Sequence, residues 1–176
     1  MKKYNIIDID IKLIKNKPFI LQSDTIFGFS CSWDDKKSLQ EICKIKNRDK
    51  NKKFIILISS IEEVIIYFDL NQHQITTLNS FWPGPYSFLL KKWNGDIDCV
   101  RVPDNRILQN FLRRTGPLVS TSCNLSGEEP INNINELMKN FEESIDFLIY
   151  NEIGFVFNNP STILELKEDG TTKQIR

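Results

Sequence analysis

Two short polar segments hold side chains from which a polyanion site could be built. Lys46-Asn47-Arg48 places an ammonium and a guanidinium two residues apart. A compact point charge beside a planar, bidentate fork suits a triphosphate or a carboxylate. Ser120-Thr121-Ser122-Cys123-Asn124 follows the apolar Pro117-Leu118-Val119 and ends it in hydroxyls and an amide, groups that can hold phosphate oxygens or an amino acid. A third polar cluster, Gln22-Ser23-Asp24-Thr25, follows Pro18-Phe19-Ile20-Leu21. Open α/β sheets place their ligands in the crevice beyond the carboxyl ends of strands. A nucleotidyl transfer would use the Lys–Arg pair to neutralise charge on the phosphorus under attack. Each cluster alone has a plainer reading: lysine-rich loops are mostly solvated surface, and serine-rich strand ends are mostly turns.

Other chemistries find little support. Neither G-x-x-x-x-G-K-[ST] nor G-x-G-x-x-G occurs, so the common phosphate-binding loops are absent. The single histidine, His73, lies in a polar stretch and offers no partner set for a catalytic triad. Cys31, Cys43, Cys99 and Cys123 have no metal-ligand spacing.

The elements that must position these clusters follow from the hydrophobic period, which switches repeatedly between two and 3.6. Strands are expected at 18–22, 53–59, 86–92, 98–103, 117–122, 146–150 and 162–167. Helices are expected at 34–47, capped by Asp34 or Asp35, and through 62–68 with a Ser60/Glu63 capping box. Further helices are expected at 73–81, stopped by Pro83 and Pro85, at 105–115 between an Asp104 cap and Gly116, and at 134–143. Asp169-Gly170 carries the signature of a two-residue hairpin. The expected fold class is α/β: a single domain over residues 1–176 with a twisted mixed sheet and flanking helices.

A chain of 176 residues can bury a substantial core. Its formal net charge of zero leaves no global basic field to hold nucleic acid. The charge is segregated, however: residues 36–53 carry eight basic side chains against Glu41 and Asp49, whereas residues 124–160 carry seven acids against Lys139. One face or mouth is expected to be basic. No apolar signal region opens the chain, and runs such as Phe54-Ile55-Ile56-Leu57-Ile58 are too short to cross a bilayer. A cytoplasmic protein with reduced cysteines and no membrane partner is the simple expectation.

Read together, the clusters resemble the YrdC/TsaC family, the threonylcarbamoyl-AMP synthases. Lys46-Asn47-Arg48 and Ser122-Cys123-Asn124 match that family's Lys-x-Arg and Ser-x-Asn signature. The stretch from Ser23 to Ser32 is similar to its P-T-[DE]-T-x-Y-G-L-G segment. Phe81-Trp82-Pro83-Gly84-Pro85 resembles its W-P-G-P block, Val100-Arg101-Val102-Pro103 its R-x-P, Ser120 to Gly127 its S-T-S-A-N-x-S-G, and Pro160-Ser161-Thr162-Ile163 its P-S-T-[IV]. The matches run in family order from about residue 20 to 165.

The resemblance implies a YrdC-like fold with a concave basic pocket. It also implies a reaction in which L-threonine, bicarbonate and ATP, with Mg²⁺ carried on the phosphates, give threonylcarbamoyl-AMP and pyrophosphate. The product would serve transferase proteins that modify an adenosine of tRNA. On this basis Lys46 and Arg48 are the expected catalytic residues, contacting both threonine and the phosphates. Lys52, Arg101, Ser120, Ser122, Asn124, Ser161 and Arg176 are further ATP contacts, and Ser23 and Thr25 seat threonine. Lys46 and Arg48 are both expected to be solvent-accessible.

The chain departs from the family pattern in several places. Gln22-Ser23 stands for Pro-Thr, Phe27 for Tyr, Ser30 for Gly and Asp49 for the Pro after Lys-x-Arg, and Lys53 occupies a Pro or Gly position. Two other readings compete: a double-stranded RNA or tRNA binding module without catalysis, and a carbamoyl-handling domain like those embedded in hydrogenase-maturation proteins.

Overall fold

The computed structural model describes residues 1–49, 53–151 and 159–176. Ten strands form one mixed sheet: β1 (Lys2–Asn5), β2 (Phe19–Gln22), β3 (Phe27–Ser32), β4 (Ile55–Leu57), β5 (Tyr86–Lys91), β6 (Ile97–Arg101), β7 (Leu118–Ser122), β8 (Phe147–Tyr150), β9 (Thr162–Leu166) and β10 (Thr172–Gln174). Their spatial order is β1-β8-β2-β3-β7-β4-β6-β5-β9-β10. The pairings β1–β8, β8–β2, β4–β6 and β5–β9 are parallel, and the others are antiparallel. All seven strands expected from the hydrophobic pattern are present, with trimmed ends. β1 and β3 are additional, and β10 is the second arm of the hairpin expected at Asp169-Gly170. β3 escapes a period-2 reading because five of its six residues are buried, so no polar face alternates with an apolar one.

The helices are α1 (Lys36–Ile45), α2 (Ile61–Tyr67), α3 (Gln72–Phe81), α4 (Arg106–Thr115) and α5 (Ile134–Phe141), with a 3-10 turn at Ile11–Ile14. Asp35 caps α1 by accepting from Lys37 and Ser38 N–H. α3 begins one residue earlier than expected because Asn71 and Gln74 form a full capping box. The α2 box is only half made. Ser60 Oγ accepts from Glu63 N–H, but the Glu63 carboxylate turns to the N–H and hydroxyl of Ser59.

Two turn expectations are corrected. Asn105, not Asp104, caps α4 by accepting from Leu108 N–H at 2.8 Å. The Asp104 N–H is donated instead to Asp24 Oδ2 at 2.9 Å. The last hairpin is not a two-residue turn, since Lys167 N–H reaches Thr171 O and Gly170 N–H reaches Lys167 O. Gly170 takes φ 83°, the left-handed residue of a three-residue loop.

Three apolar clusters hold the sheet to its helices. One packs Leu108, Phe111 and Leu112 of α4 on Phe19, Leu57 and Ile149; a second gathers Val64, Leu78 and Trp82 around Phe88 and Val100. The third packs Ile42 of α1 and Leu137 and Phe141 of α5 on Ile20, Phe29 and Leu148. Phe27, which stands at a family Tyr position, is buried in that third cluster. Its ring therefore packs, and its N–H is satisfied by Asn132 Oδ1 at 3.2 Å. Gln22 also has a structural use: its Oε1 accepts from Asn151 N–H at 2.9 Å, tying the end of β2 to the end of β8. Among the described residues no helix is long and apolar enough to cross a membrane.

Candidate functional site

The sheet order carries the three polar clusters to one place. β3 pairs with β7, setting Gly28 opposite Ser122 and Ser30 opposite Ser120. β7 pairs with β4, setting Ile55 opposite Ser120, and β4 pairs with β6, setting Leu57 opposite Arg101. The β2–β3 turn, the end of β6 and the end of β7 thereby border a single cavity of about 520 Å³. That volume falls within the usual range for small-molecule sites. Of the residues singled out in the sequence, Ser23, Thr25, Arg48, Arg101, Ser120, Ser122, Asn124, Ser161 and Arg176 line it. Lys52 lies outside the described residues.

Lys46 differs from expectation. It is only 1% exposed, and its ammonium donates to Ser122 O at 2.5 Å, Asn124 O at 2.8 Å and Asn124 Oδ1 at 2.8 Å. Three acceptors use all three donors of an ammonium. The backbone joins in, because Ser126 N–H donates to Lys46 O at 2.8 Å. The expectation of a solvent-accessible Lys46 is therefore corrected: the C-terminal end of α1 is stapled to the Asn124 loop by this side chain. Burial pushes its pKa down to about 8, and the three oxygens around it favour the charged form.

Arg48 is half-buried and keeps its fork near the cavity. Nη2 donates to Lys53 O at 2.8 Å, the guanidinium lies 4.9 Å from the Phe54 ring centre, and Nε has no partner. Burial is the main cause lowering its pKa, and the charge of Arg176 acts in the same direction. Among the described residues no ion pair joins either arginine to a carboxylate. Arg48 and Arg176 thus both line the cavity with no carboxylate partner among the described residues. Lys53 adds a third cation to the lining, with Nζ donating to Ile97 O.

The opposite rim is organised by Asn124. Its Oδ1 accepts from Ser122 Oγ at 2.6 Å as well as from Lys46, and its Nδ2 donates to Glu128 O at 2.5 Å. One Nδ2 hydrogen remains for a ligand. Ser161 Oγ is paired with Ser87 Oγ at 2.8 Å, and Arg176 Nη2 donates to Ser161 O at 3.2 Å.

Arg101 is 2% exposed and ion-paired with Asp24, its Nη2 lying 2.5 Å from Asp24 Oδ1. Its other terminal nitrogen donates to Thr25 Oγ1 at 2.9 Å. Asp24 was not singled out in the sequence. Its neighbours are hydroxyl residues, and only the partner 77 positions away gives it a role. Burial pushes the thiol of Cys99, also in the cavity wall, up to about 11, and burial likewise raises that of Cys123 beside Lys46. Both stay protonated at neutral pH and are poor nucleophiles.

Gly28 is required by close approach. A Cβ there would stand 2.4 Å from Ser120 Oγ and 3.1 Å from Thr121 O. Gly28→Ala is expected to cost about 1–3 kcal/mol through overpacking. Adding Ser120→Ala removes the worse contact and should recover most of that loss in denaturant titrations. Equal stabilities for the single and double variants would show the contact to be harmless.

Comparison with known proteins identifies the family and the fold. Residues 12–176 match the family model for Sua5, YciO and YrdC proteins, described as telomere recombination. Over 169 residues the chain is 33% identical to a threonylcarbamoyl-AMP synthase of Yersinia enterocolitica, covering 88% of this chain and 85% of that one. Among solved structures, P. abyssi Sua5 complexed with L-threonine superposes with a TM-score of 0.85 at 20% identity, and E. coli YciO with 0.81 at 23%. These cover 100% and 99% of this chain. The chain spans 57% of the Sua5 chain's length and 93% of YciO's.

Proposed function

The chain belongs to the Sua5/YciO/YrdC family, and on that premise we propose that it is a threonylcarbamoyl-AMP synthase. The amine of L-threonine and bicarbonate combine, with loss of water, into a carbamate. A carbamate oxygen then attacks the α-phosphorus of ATP, the bond from that phosphorus to its bridging oxygen breaks, and pyrophosphate leaves. The observation that carries this reading is the single cavity bounded by Arg48, Arg176, Ser122, Asn124, Ser161 and Thr25. The relative from Yersinia enterocolitica bears this activity in its name, and the P. abyssi structure holds L-threonine.

No covalent nucleophile is needed. The work is positioning and charge neutralisation of a crowded polyanion. Arg48 and Arg176 neutralise phosphate and carboxylate charge. Ser120, Ser122, Asn124 and Ser161 hold the nucleotide, and the Ser23–Thr25 turn seats threonine. Lys46 fixes the Asn124 rim from behind. Among the described residues no three acidic, histidine or cysteine side chains converge, and Mg²⁺ would enter bound to ATP phosphates, supplying further charge neutralisation there. The product is an activated threonylcarbamoyl group for transferase proteins acting on tRNA. The direct test is pyrophosphate release with ATP, bicarbonate and Mg²⁺. Release should depend on L-threonine; release indifferent to the amino acid, or none, would overturn the assignment.

A further inference from the structure

We infer that a second cavity, at the other end of the central strands, binds an α-amino acid with an apolar side chain, its carboxylate on Lys12 and Lys15 and its ammonium on Asp34. The inference stands independently of the reaction proposed above.

β2, β3 and β7 border both cavities. The first takes in Ser23 just beyond β2 and Ser122 at the end of β7. The second, of about 380 Å³, lies where β2 begins at Phe19, β3 ends at Ser32 and β7 begins at Leu118. Gly28 stands opposite Ser122, and Ser32 opposite Leu118. Residues two or four apart along a strand share a face, so the two cavities lie on the same side of the sheet. The 3-10 turn Ile11–Ile14 and Thr115 at the end of α4 complete the second cavity. Side chains three residues apart eclipse in a 3-10 turn. Ile11 therefore comes level with Ile14, and Lys12 with Lys15 directly after the turn, and all four line the cavity.

The floor and the rim differ in character. Ile14, Phe19 and Leu118 are buried in the α4 cluster and present apolar surface. Lys12, Lys15 and Asp34 are exposed, and among the described residues none of the three is in an ion pair. The two ammoniums come from the 3-10 turn, and the carboxylate comes from the segment between β3 and α1. Asp34 Oδ1 accepts from Ser32 Oγ at 2.6 Å, which leaves Oδ2 for a ligand. Thr115 Oγ1 lies 2.9 Å from Gly116 O and 3.2 Å from Phe111 O, so its proton is committed and its lone pairs add an acceptor. An apolar floor with charges of both signs on its rim calls for a zwitterion with an apolar tail. A fatty acid brings no donor to Asp34, and an alkylamine brings no anion to the lysines. An apolar α-amino acid answers every group, through the charge-assisted hydrogen bonds that are the strong ones. L-Threonine fits poorly, because its hydroxyl would meet a floor without a partner.

Calorimetric titration of the whole protein with L-leucine tests this. L-Leucine should bind saturably. 4-Methylpentanoate, which lacks the ammonium, and 3-methylbutylamine, which lacks the carboxylate, should each bind about tenfold more weakly or worse. Lys12→Ala combined with Lys15→Ala should weaken leucine binding by about tenfold or more. Asp34→Asn should weaken it similarly and close most of the gap between leucine and 4-methylpentanoate. In ¹H–¹⁵N spectra leucine should shift amides of residues 12–16, 32–34 and 115–118 ahead of those of 23–28 and 120–124. Absence of saturable leucine binding, equal affinity for 4-methylpentanoate, indifference to the lysine or Asp34 substitutions, or shifts centred on the first cavity would each overturn the inference.

Discussion

Arg48→Ala is expected to reduce kcat/KM for threonine-dependent pyrophosphate release by about a hundredfold or more, the order seen when one stabilising group is removed from a developing anion. The fold should survive. Arg48 is half-buried, and among the described residues its guanidinium donates to Lys53 O and lies against the face of Phe54. Removing it leaves one backbone carbonyl without this donor and no buried countercharge. Arg48→Lys keeps the charge but loses the fork, so it should recover only part of the activity. Circular dichroism and melting temperature separate a chemical loss from a folding loss. Activity within about threefold of wild type in the alanine variant would remove Arg48 from the reaction.

Lys46→Met should damage both activity and stability, and for a different reason. The ammonium satisfies Ser122 O, Asn124 O and Asn124 Oδ1 in a buried position. A thioether makes none of those bonds, leaving three acceptors short of a donor. Leaving a buried polar group without its partner costs about 1–3 kcal/mol. The Asn124 rim, which also carries the Ser122 contact and the Nδ2 bond to Glu128 O, then loses its fixed position. Arginine should not rescue, because its planar fork cannot reproduce three converging donors. Urea denaturation alongside the pyrophosphate assay checks both halves. A variant of wild-type stability with abolished activity would show that Lys46 acts on the ligand directly and does not staple the loop.

The fold was largely legible because most strands bury one patterned run and most helices carry a cap. Ser60, Gly116 and the Trp82-Pro83 stop each mark their boundary by local chemistry. β3 was hidden because burial on both faces erases alternation. Asp104 looked like a cap in sequence because the competing acceptor, Asp24, lies 80 residues away. The site was legible as a set of residues, since Lys46, Arg48, Ser122 and Asn124 stand in short motifs. Their exposure and pairing were not. A lysine in a run of lysines reads as solvated, and nothing local indicates that Ser122 and Asn124, 76 and 78 residues on, will surround its ammonium. Arg101, expected as an ATP contact, lines the cavity, but its charge is answered by an aspartate that only the β2–β3 turn brings to it. Long-range pairing thus decides which cations remain free to meet an anion.

In the proposed reaction one cavity joins a carbamate derived from threonine to the α-phosphorus of ATP. Mass spectrometry of the nucleotide product formed from ¹³C-bicarbonate, L-threonine and ATP addresses it most directly. The expected product is an AMP adduct that carries both the threonine and one heavy carbon. An unlabelled threonine–AMP adduct, or AMP alone, would contradict it.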